Sequence, residues 1–319
     1  MSVQRVHRAS YAVDVAAPAG VVYGLVADTT QWPLFVPASI HVERLDFDGI
    51  QDRFHMWVTA NGTVKSWLSR RTLDAARRRI DFRHELPASP VTGMGGSWTV
   101  EPRGADRCRL VLEHDFTVAG DRPADIAWVR RATDMCIRDR LKETAERWTR
   151  LDDLLLSFED AVRVDGPAEL VYGFLYDVAE WPRLVPHVAR LDVTEDEPGV
   201  QRMTMDTVTA DGFAHTTESV RVCFPGAGRI VYKQTATPAL MAAHTGEWSV
   251  IPDETGVTVV SQHSVLLREE AVERVLGAGT TVAEARAYVR TALGRNSTAT
   301  LELAKRHAEN GARARIHVL

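Results

Sequence analysis

Cysteine is scarce in this sequence, and the three present, Cys108, Cys136 and Cys223, are odd in number and scattered. That argues against a disulfide framework and leaves no CxxC pair for a structural metal. No HxxxH or HExxH spacing occurs, so no metal site is expected. Positive charge is not in excess, since 38 Lys and Arg against 43 Asp and Glu give a net charge of −5. Phosphate-rich surfaces are bound by clustered positive charge, so neither nucleic acid nor a membrane is expected as a partner. Long apolar runs are missing too, and none approaches the ~18 residues that a membrane span requires. Met1 to Ser10 is polar and shows no signal pattern, so the expected location is the cytoplasm. What is left is an ordinary globular composition, 45% apolar and 25% charged, over 319 residues. That length suffices for two domains, each with its own core.

What the sequence does contain is a repeat. Val13 to Pro37 (VDVAAPAGVVYGLVADTTQWPLFVP) lies beside Val162 to Pro186 (VRVDGPAELVYGFLYDVAEWPRLVP) at an offset of 149. Pro18 meets Pro167, Val22-Tyr23-Gly24 meets Val171-Tyr172-Gly173, and Trp32-Pro33 meets Trp181-Pro182. The match continues at an offset of 150, where VTANG (58–62) faces VTADG (208–212), Ser69 and Arg71 face Ser219 and Arg221, and Trp98 faces Trp248. His114 faces His263, again at 149. Chance does not produce so many ordered matches. The chain reads as two copies of one domain, 1–155 and 156–319, with the boundary near residues 151–158.

Each copy has the same order. A short alternating strand leads into a helix with Pro18 or Pro167 expected at its first position. A second short helix follows around the Trp-Pro dipeptide. Alternating segments come next, separated by turn signals such as Asn61-Gly62 and Asp211-Gly212. A long helical pattern closes each copy, Asp125 to Leu155 and Val282 to Glu309, with about 11 extra residues ahead of it in the second. The expected class is α+β. A strongly curved antiparallel sheet wrapped around one long amphipathic helix explains why that helix comes last. Such a sheet either leaves a cavity for an apolar small molecule or is filled by its own side chains, and periodicity does not separate the two.

With the Trp-Pro dipeptide on the second helix and Ser-x-Arg on a central strand, this order resembles the helix-grip fold of the START and Bet v 1-like superfamily. More narrowly, WLSRRTLDAARRRI (67–80) and VRTALGRNSTATLELAKRHAE (289–309) resemble the aromatase/cyclases of bacterial type II polyketide synthases. Two copies in a chain of this length is the arrangement of their didomain subgroup. The resemblance implies a tandem pair of helix-grip domains and an enzyme that needs no cofactor. It implies as substrate a poly-β-ketone delivered on an acyl carrier protein by a minimal polyketide synthase. The reaction implied is first-ring closure between carbons 7 and 12, or dehydration of a ring already closed.

Ser69 and Arg71, two apart on a strand, share a face with Trp67 and Leu73, and Ser219 and Arg221 repeat the arrangement. A guanidinium is permanently charged and offers a fork of donors, which suits the oxyanion that develops in an aldol addition. By resemblance, Arg71 and Arg221 polarise the carbonyl while Ser69 and Ser219 assist proton transfer; the alternative is an arginine on an exposed strand face. Candidate substrate contacts are Trp32, Trp67, Arg83, Trp98 and His114 in the first copy and Trp181, Tyr232, Trp248, His263 and Asn296 in the second. Recurring tryptophans also fit a core role, given the area each buries. His114 and His263 recur without a recurring carboxylate, since Asp115 becomes Ser264, so a satisfied structural histidine is the competing reading. His215 and His244 have no counterpart and carry less weight. Tyr232 and Lys233 replace Phe82 and Arg83, and Asn296-Ser297 stand opposite Cys136-Ile137. The last helix therefore favours the second copy as the catalytic one, while the WLSRR strand favours the first. The rival from another class is a carrier of a lipid, quinone or other apolar small molecule, which gains little from buried arginines.

Overall fold

The computed structural model describes residues 4–60, 62–135, 141–208 and 214–316. The chain divides into two compact units, Met1–Leu151 and Asp152–Leu319. In the first, β1 (His7–Val15) leads through α1 (Ala19–Ala27) and α2 (Trp32–Phe35) into β2 (Ser39–Phe47), β3 (Gln51–Ala60) and β4 (Thr63–Asp74). Then come β5 (Arg79–Leu86), β6 (Val91–Pro102), β7 (Cys108–Val118), α3 (Pro123–Met135) and α4 (Lys142–Glu146). A one-turn helix, α5 (Leu151–Leu154), precedes β8 (Leu155–Val164), α6 (Ala168–Tyr176), α7 (Trp181–Leu184), β9 (Val188–Glu197) and β10 (Val200–Val208). The second unit continues with β11 (Ala214–Phe224), β12 (Arg229–Ala236), β13 (Met241–Asp253), β14 (Gly256–Leu267), α8 (Val272–Leu276) and α9 (Val282–Ile316).

Among the described residues each unit holds one seven-stranded antiparallel sheet. The orders are β1-β7-β6-β5-β4-β3-β2 and β8-β14-β13-β12-β11-β10-β9, identical strand for strand. The first strand of each unit pairs with the last, so the meander returns on itself, as the expected tandem helix-grip architecture requires. α9 packs on β8, β14 and α6, burying Ala285, Val289, Ser297, Leu301, Ala304 and Ala308 along one face at helical spacing. A capping box starts it: the Glu284 amide donates to Thr281 Oγ1 (3.2 Å) and the Thr281 amide to Glu284 Oε2 (2.8 Å).

The first copy's closing helix differs from expectation. Of the pattern read as one helix over Asp125–Leu155, the described residues hold α3 and α4, and after Glu146 the helix gives way to a 3₁₀ turn (Trp148–Arg150) ahead of α5. Leu155 instead opens β8, where it pairs with Leu266. Cys136-Ile137, Asn61 and Asp211-Gly212 lie outside the described residues. Pro18 and Pro167 sit one position earlier than expected, as N-caps with ψ of 139° and 135°. Their carbonyls take the first helical amides, at 3.0–3.4 Å.

The ends of α1 and α6 explain much of what recurs. The last turn of a helix leaves carbonyls without intrahelical partners. In α1 the Trp32 indole donates to Leu25 O (3.0 Å), and the Arg71 guanidinium donates to Val26 O (2.9 Å) and Ala27 O (2.6 Å). In α6 Trp181 donates to Phe174 O (3.1 Å), and Arg221 donates to Leu175 O and to Tyr176 O (3.4 Å). Three successive carbonyls are thus capped by the same tryptophan and arginine in both copies. A cation there also meets the negative end of the helix dipole.

Candidate active site

Strand register places one row of side chains across the inner face of each sheet. In the first unit the row runs Asp52, Arg71, Phe82, Gly96, His114 from β3 to β7. Arg71 is 3% exposed and its partner Asp52 is fully buried, and the two form a close ion pair that Arg44 approaches at 3.4 Å. Burial lowers the Arg71 pKa, and the bond to Asp52 opposes that shift. Ser69 lies beside it, equally buried, paired with His84. A cavity of about 240 Å³ opens over this row, walled by Trp32, Trp67, Trp98 and Trp128 with Phe54 and Phe82. His84 stacks on Trp67 (5.2 Å between centroids), and desolvation pulls its pKa down to about 4, so it is a neutral ring at pH 7.

In the second unit the row reads Gln201, Arg221, Tyr232, Gly246, His263. Gln201 stands where the first unit has Asp52, and its amide reaches Glu195 (2.9 Å), which also accepts from the Tyr176 hydroxyl (2.6 Å). The carboxylate therefore sits one residue removed from Arg221, and no carboxylate among the described residues cancels the guanidinium charge by direct contact. The cavity here measures about 610 Å³ and is far more polar, with Ser219, Arg221, Tyr232, His244, His263 and Asn296 among its walls. His263 is the centre of a network. Its Nδ1 lies 3.0 Å from the Tyr232 hydroxyl and 3.0 Å from His244 Nε2, and its Nε2 lies 3.1 Å from Ser261 Oγ. Burial raises the Tyr232 pKa, lowers that of His263 to about 4 and holds His244 well below its usual value. All three are neutral at pH 7.

Residues 15–133 and 156–309 each match a family described as polyketide cyclase/dehydrase and lipid transport. The bifunctional cyclase/dehydratase of the granaticin polyketide synthase from Streptomyces violaceoruber is 40% identical over 314 residues, covering 96% of this chain and 94% of that one. The chain belongs to the polyketide cyclase/dehydrase family. The bifunctional cyclase/dehydratase of the actinorhodin polyketide synthase from Streptomyces coelicolor is 39% identical over 315 residues, covering 95% of this chain and 96% of that one. Two solved structures align with 95% of this chain and 99% of their own. The di-domain ARO/CYC BexL, from the BE-7585A biosynthetic pathway, has 46% identity and a TM-score of 0.84. The di-domain ARO/CYC StfQ, from the steffimycin pathway, has 37% identity and a TM-score of 0.85.

In this polyketide cyclase/dehydrase most of the residues singled out by sequence come together. Ser69, Arg71, Trp32, Trp67 and Trp98 line the first cavity. Ser219, Arg221, Trp181, Tyr232, Trp248, His263 and Asn296 line the second. Arg83 does not belong with them. Ile80, Phe82 and His84 alternate inward along β5, which turns Arg83 outward, over Gly95 on the outer face of the sheet. His114 faces inward but lies behind the cavity wall, stacked on Phe116 (5.5 Å) and Tyr11 (5.9 Å). Sequence reasoning gave His244 little weight and did not single out His84, Trp128 or Ser261. The alternation of Phe82 with His84 marked His84 as inward. Nothing in the sequence brought His244 to His263, because that contact depends on the register of β13 with β14. No helix among the described residues is long and apolar enough to cross a membrane.

Proposed function

We propose that this polyketide cyclase/dehydrase folds a poly-β-ketone held on an acyl carrier protein, closes its first ring between carbons 7 and 12 and expels water to aromatise it. It works beside a minimal polyketide synthase in the cytoplasm, and the redox-neutral chemistry calls for no cofactor. The observation that carries this reading is the contrast between two cavities built on one plan. The first is small and walled by indole rings, which suits shaping a flat ketide segment. The second is larger and gathers Ser219, Arg221, Tyr232 and His263 on one wall.

An aldol closure makes a carbanion from a methylene between two carbonyls and turns the attacked carbonyl into an alkoxide. Methylenes so activated need no strong base. The Arg221 charge, fixed by its bonds to α6 and not cancelled in contact, stabilises that alkoxide in a desolvated site at no reorganisation cost. Ser219, two residues along the same strand, passes the proton. Much of the remaining barrier is orientation, supplied by confinement.

The test is reconstitution with a minimal polyketide synthase and carrier protein, using reduced and unreduced chains. Wild type is expected to give one defined first-ring pattern, and Arg221→Ala to revert toward spontaneous mixtures. A wild-type protein that leaves both product profiles unchanged defeats the cyclase reading and leaves a carrier of apolar molecules in its place.

A further inference from the structure

His263 has more hydrogen-bond suitors than it can serve. An imidazole nitrogen offers either one lone pair or one hydrogen, never both. Two donor-capable atoms, Tyr232 Oη and His244 Nε2, each stand 3.0 Å from the same Nδ1. Whichever tautomer His263 adopts, only one of the two contacts is a full hydrogen bond at a time. The other nitrogen is occupied by Ser261 Oγ at 3.1 Å. His244, Ser261 and His263 are buried, and Tyr232 lines the cavity. At its far end the His244 ring presents Nδ1, buried and without a hydrogen-bond partner among the described residues. Gly246 leaves the space in which the Tyr232 hydroxyl sits, and a Cβ there would collide with it.

The same positions in the first unit carry none of this. Phe82 stands for Tyr232, both paired with the row arginine. Met94 stands for His244, each two residues before the row glycine, and Leu112 stands for Ser261, each paired with the recurring tryptophan. His114 is left with both ring nitrogens lacking a hydrogen-bond partner among the described residues. The network is a property of the second unit.

We propose that Tyr232, His263 and His244 form a closed proton circuit that carries out the dehydration step, with Tyr232 as the acid and His244 as the base. This rests on the cyclase/dehydratase reading of the second cavity. When a cyclised β-hydroxy ketone enters, its hydroxyl accepts the Tyr232 hydrogen bond, and His244 Nε2–H takes over the His263 lone pair. The substrate's α-carbon–hydrogen bond then breaks, its proton goes to His244 Nδ1, and its electron pair forms the new carbon–carbon double bond. The carbon–oxygen bond breaks with its pair, and the departing hydroxyl takes the Tyr232 proton and leaves as water. The His244 Nε2 proton moves to His263 Nδ1 and on to the Tyr232 oxygen. One water is lost and the protein's proton count is unchanged. His244 ends with its hydrogen on Nδ1, and a tautomer shift returns it to Nε2 before the next turnover. Neutral members are what such a circuit needs. Phe158, stacked at 4.8 Å, helps to desolvate His263, while Asp160 and Arg290, facing it from β8 and α9, act on it with opposite sign.

The test uses the full chain under single turnover, with carrier-bound substrate and mass detection of rings before and after water loss. Tyr232→Phe, which installs the first unit's residue, is expected to slow dehydration at least about 100-fold while slowing ring closure far less, so that the hydrated ring accumulates. His244→Gln keeps an N–H for His263 but removes the base, and is expected to give the same accumulation. A phenolic product analogue, read by tryptophan fluorescence, should lose far less affinity in both variants than dehydration loses rate. Dehydration within about threefold of wild type in Tyr232→Phe overturns the circuit while leaving the cyclase reading intact. Loss of analogue binding in step with dehydration also overturns it, making Tyr232 a binding group. A wild-type protein that dehydrates nothing removes the parent reading and the circuit together.

Discussion

At the scale of single residues, this protein keeps the His84, His244 and His263 imidazoles uncharged at pH 7, and that has a consequence for acid stability. His84 and His263 have pKa values pulled to about 4 from an ordinary 6.5, and His244 is lowered too, each chiefly by desolvation. The folded values lie below the unfolded ones, so the unfolded chain takes up protons first as pH falls. The contribution of these rings is therefore at its plateau above about pH 6.5 and declines between 6.5 and 4, by about 1.4 kcal/mol per pH unit for each of His84 and His263, with His244 acting in the same direction. The charged neighbours do not reverse the sign: His114 near His84 adds to the shift, and Asp160 near His263 opposes it only in part. Urea melts at pH 7 and pH 5 are expected to show the loss, and His84→Phe should flatten part of it. A melt indifferent to pH across that window would mean these rings are hydrated.

At the scale of elements, the recurring tryptophan and arginine are first of all the C-terminal caps of α1 and α6, and chemistry is built on that foundation. Arg71→Ala removes two caps and strands Asp52, fully buried, without its closest cation. Breaking a buried pair in this way costs about 3–5 kcal/mol. The variant is expected to shift the denaturant midpoint of the first unit, and Asp52→Asn in the Arg71→Ala background should recover part of the loss. Arg221→Ala strands no carboxylate in direct contact and should be milder. If Arg71→Ala melts as wild type does, the capping account is wrong. Sequence displayed the two Ser-x-Arg pairs and the inward face they share, because strand alternation is local. It did not display the carbonyls they serve, which lie 44 to 46 residues earlier in the chain. Arg83 shows the opposite failure: the alternation of Ile80, Phe82 and His84 was there to be used, and it turns Arg83 outward. The end of the helical stretch after Glu146 was not legible, since the apolar spacing stays helical as far as Leu155, which β8 claims by pairing with Leu266.

At the scale of the whole molecule, duplication was the plainest feature of the sequence, and it brings two cavities of unlike character. What sequence left open was which copy carries the chemistry, because its two signals, the WLSRR strand and the polar helix face, pointed to different copies. The residues on which the proposed circuit rests, Tyr232, His244 and Ser261, are scattered over β12, β13 and β14 and meet only through register. Viewed as an inheritance, the Phe82, Met94 and Leu112 set is the one a stable core would choose, and its counterpart keeps polar groups buried with one donor always unserved. In the proposed circuit, activity and robustness are divided between sister halves of one chain. Replacing Tyr232, His244 and Ser261 by Phe, Met and Leu should raise the melting temperature of the second unit by about 4 °C or more, while abolishing water loss. Calorimetry on that triple variant would show what the proposed division entails: one half giving up thermal margin for reactivity, the other keeping the safer packing.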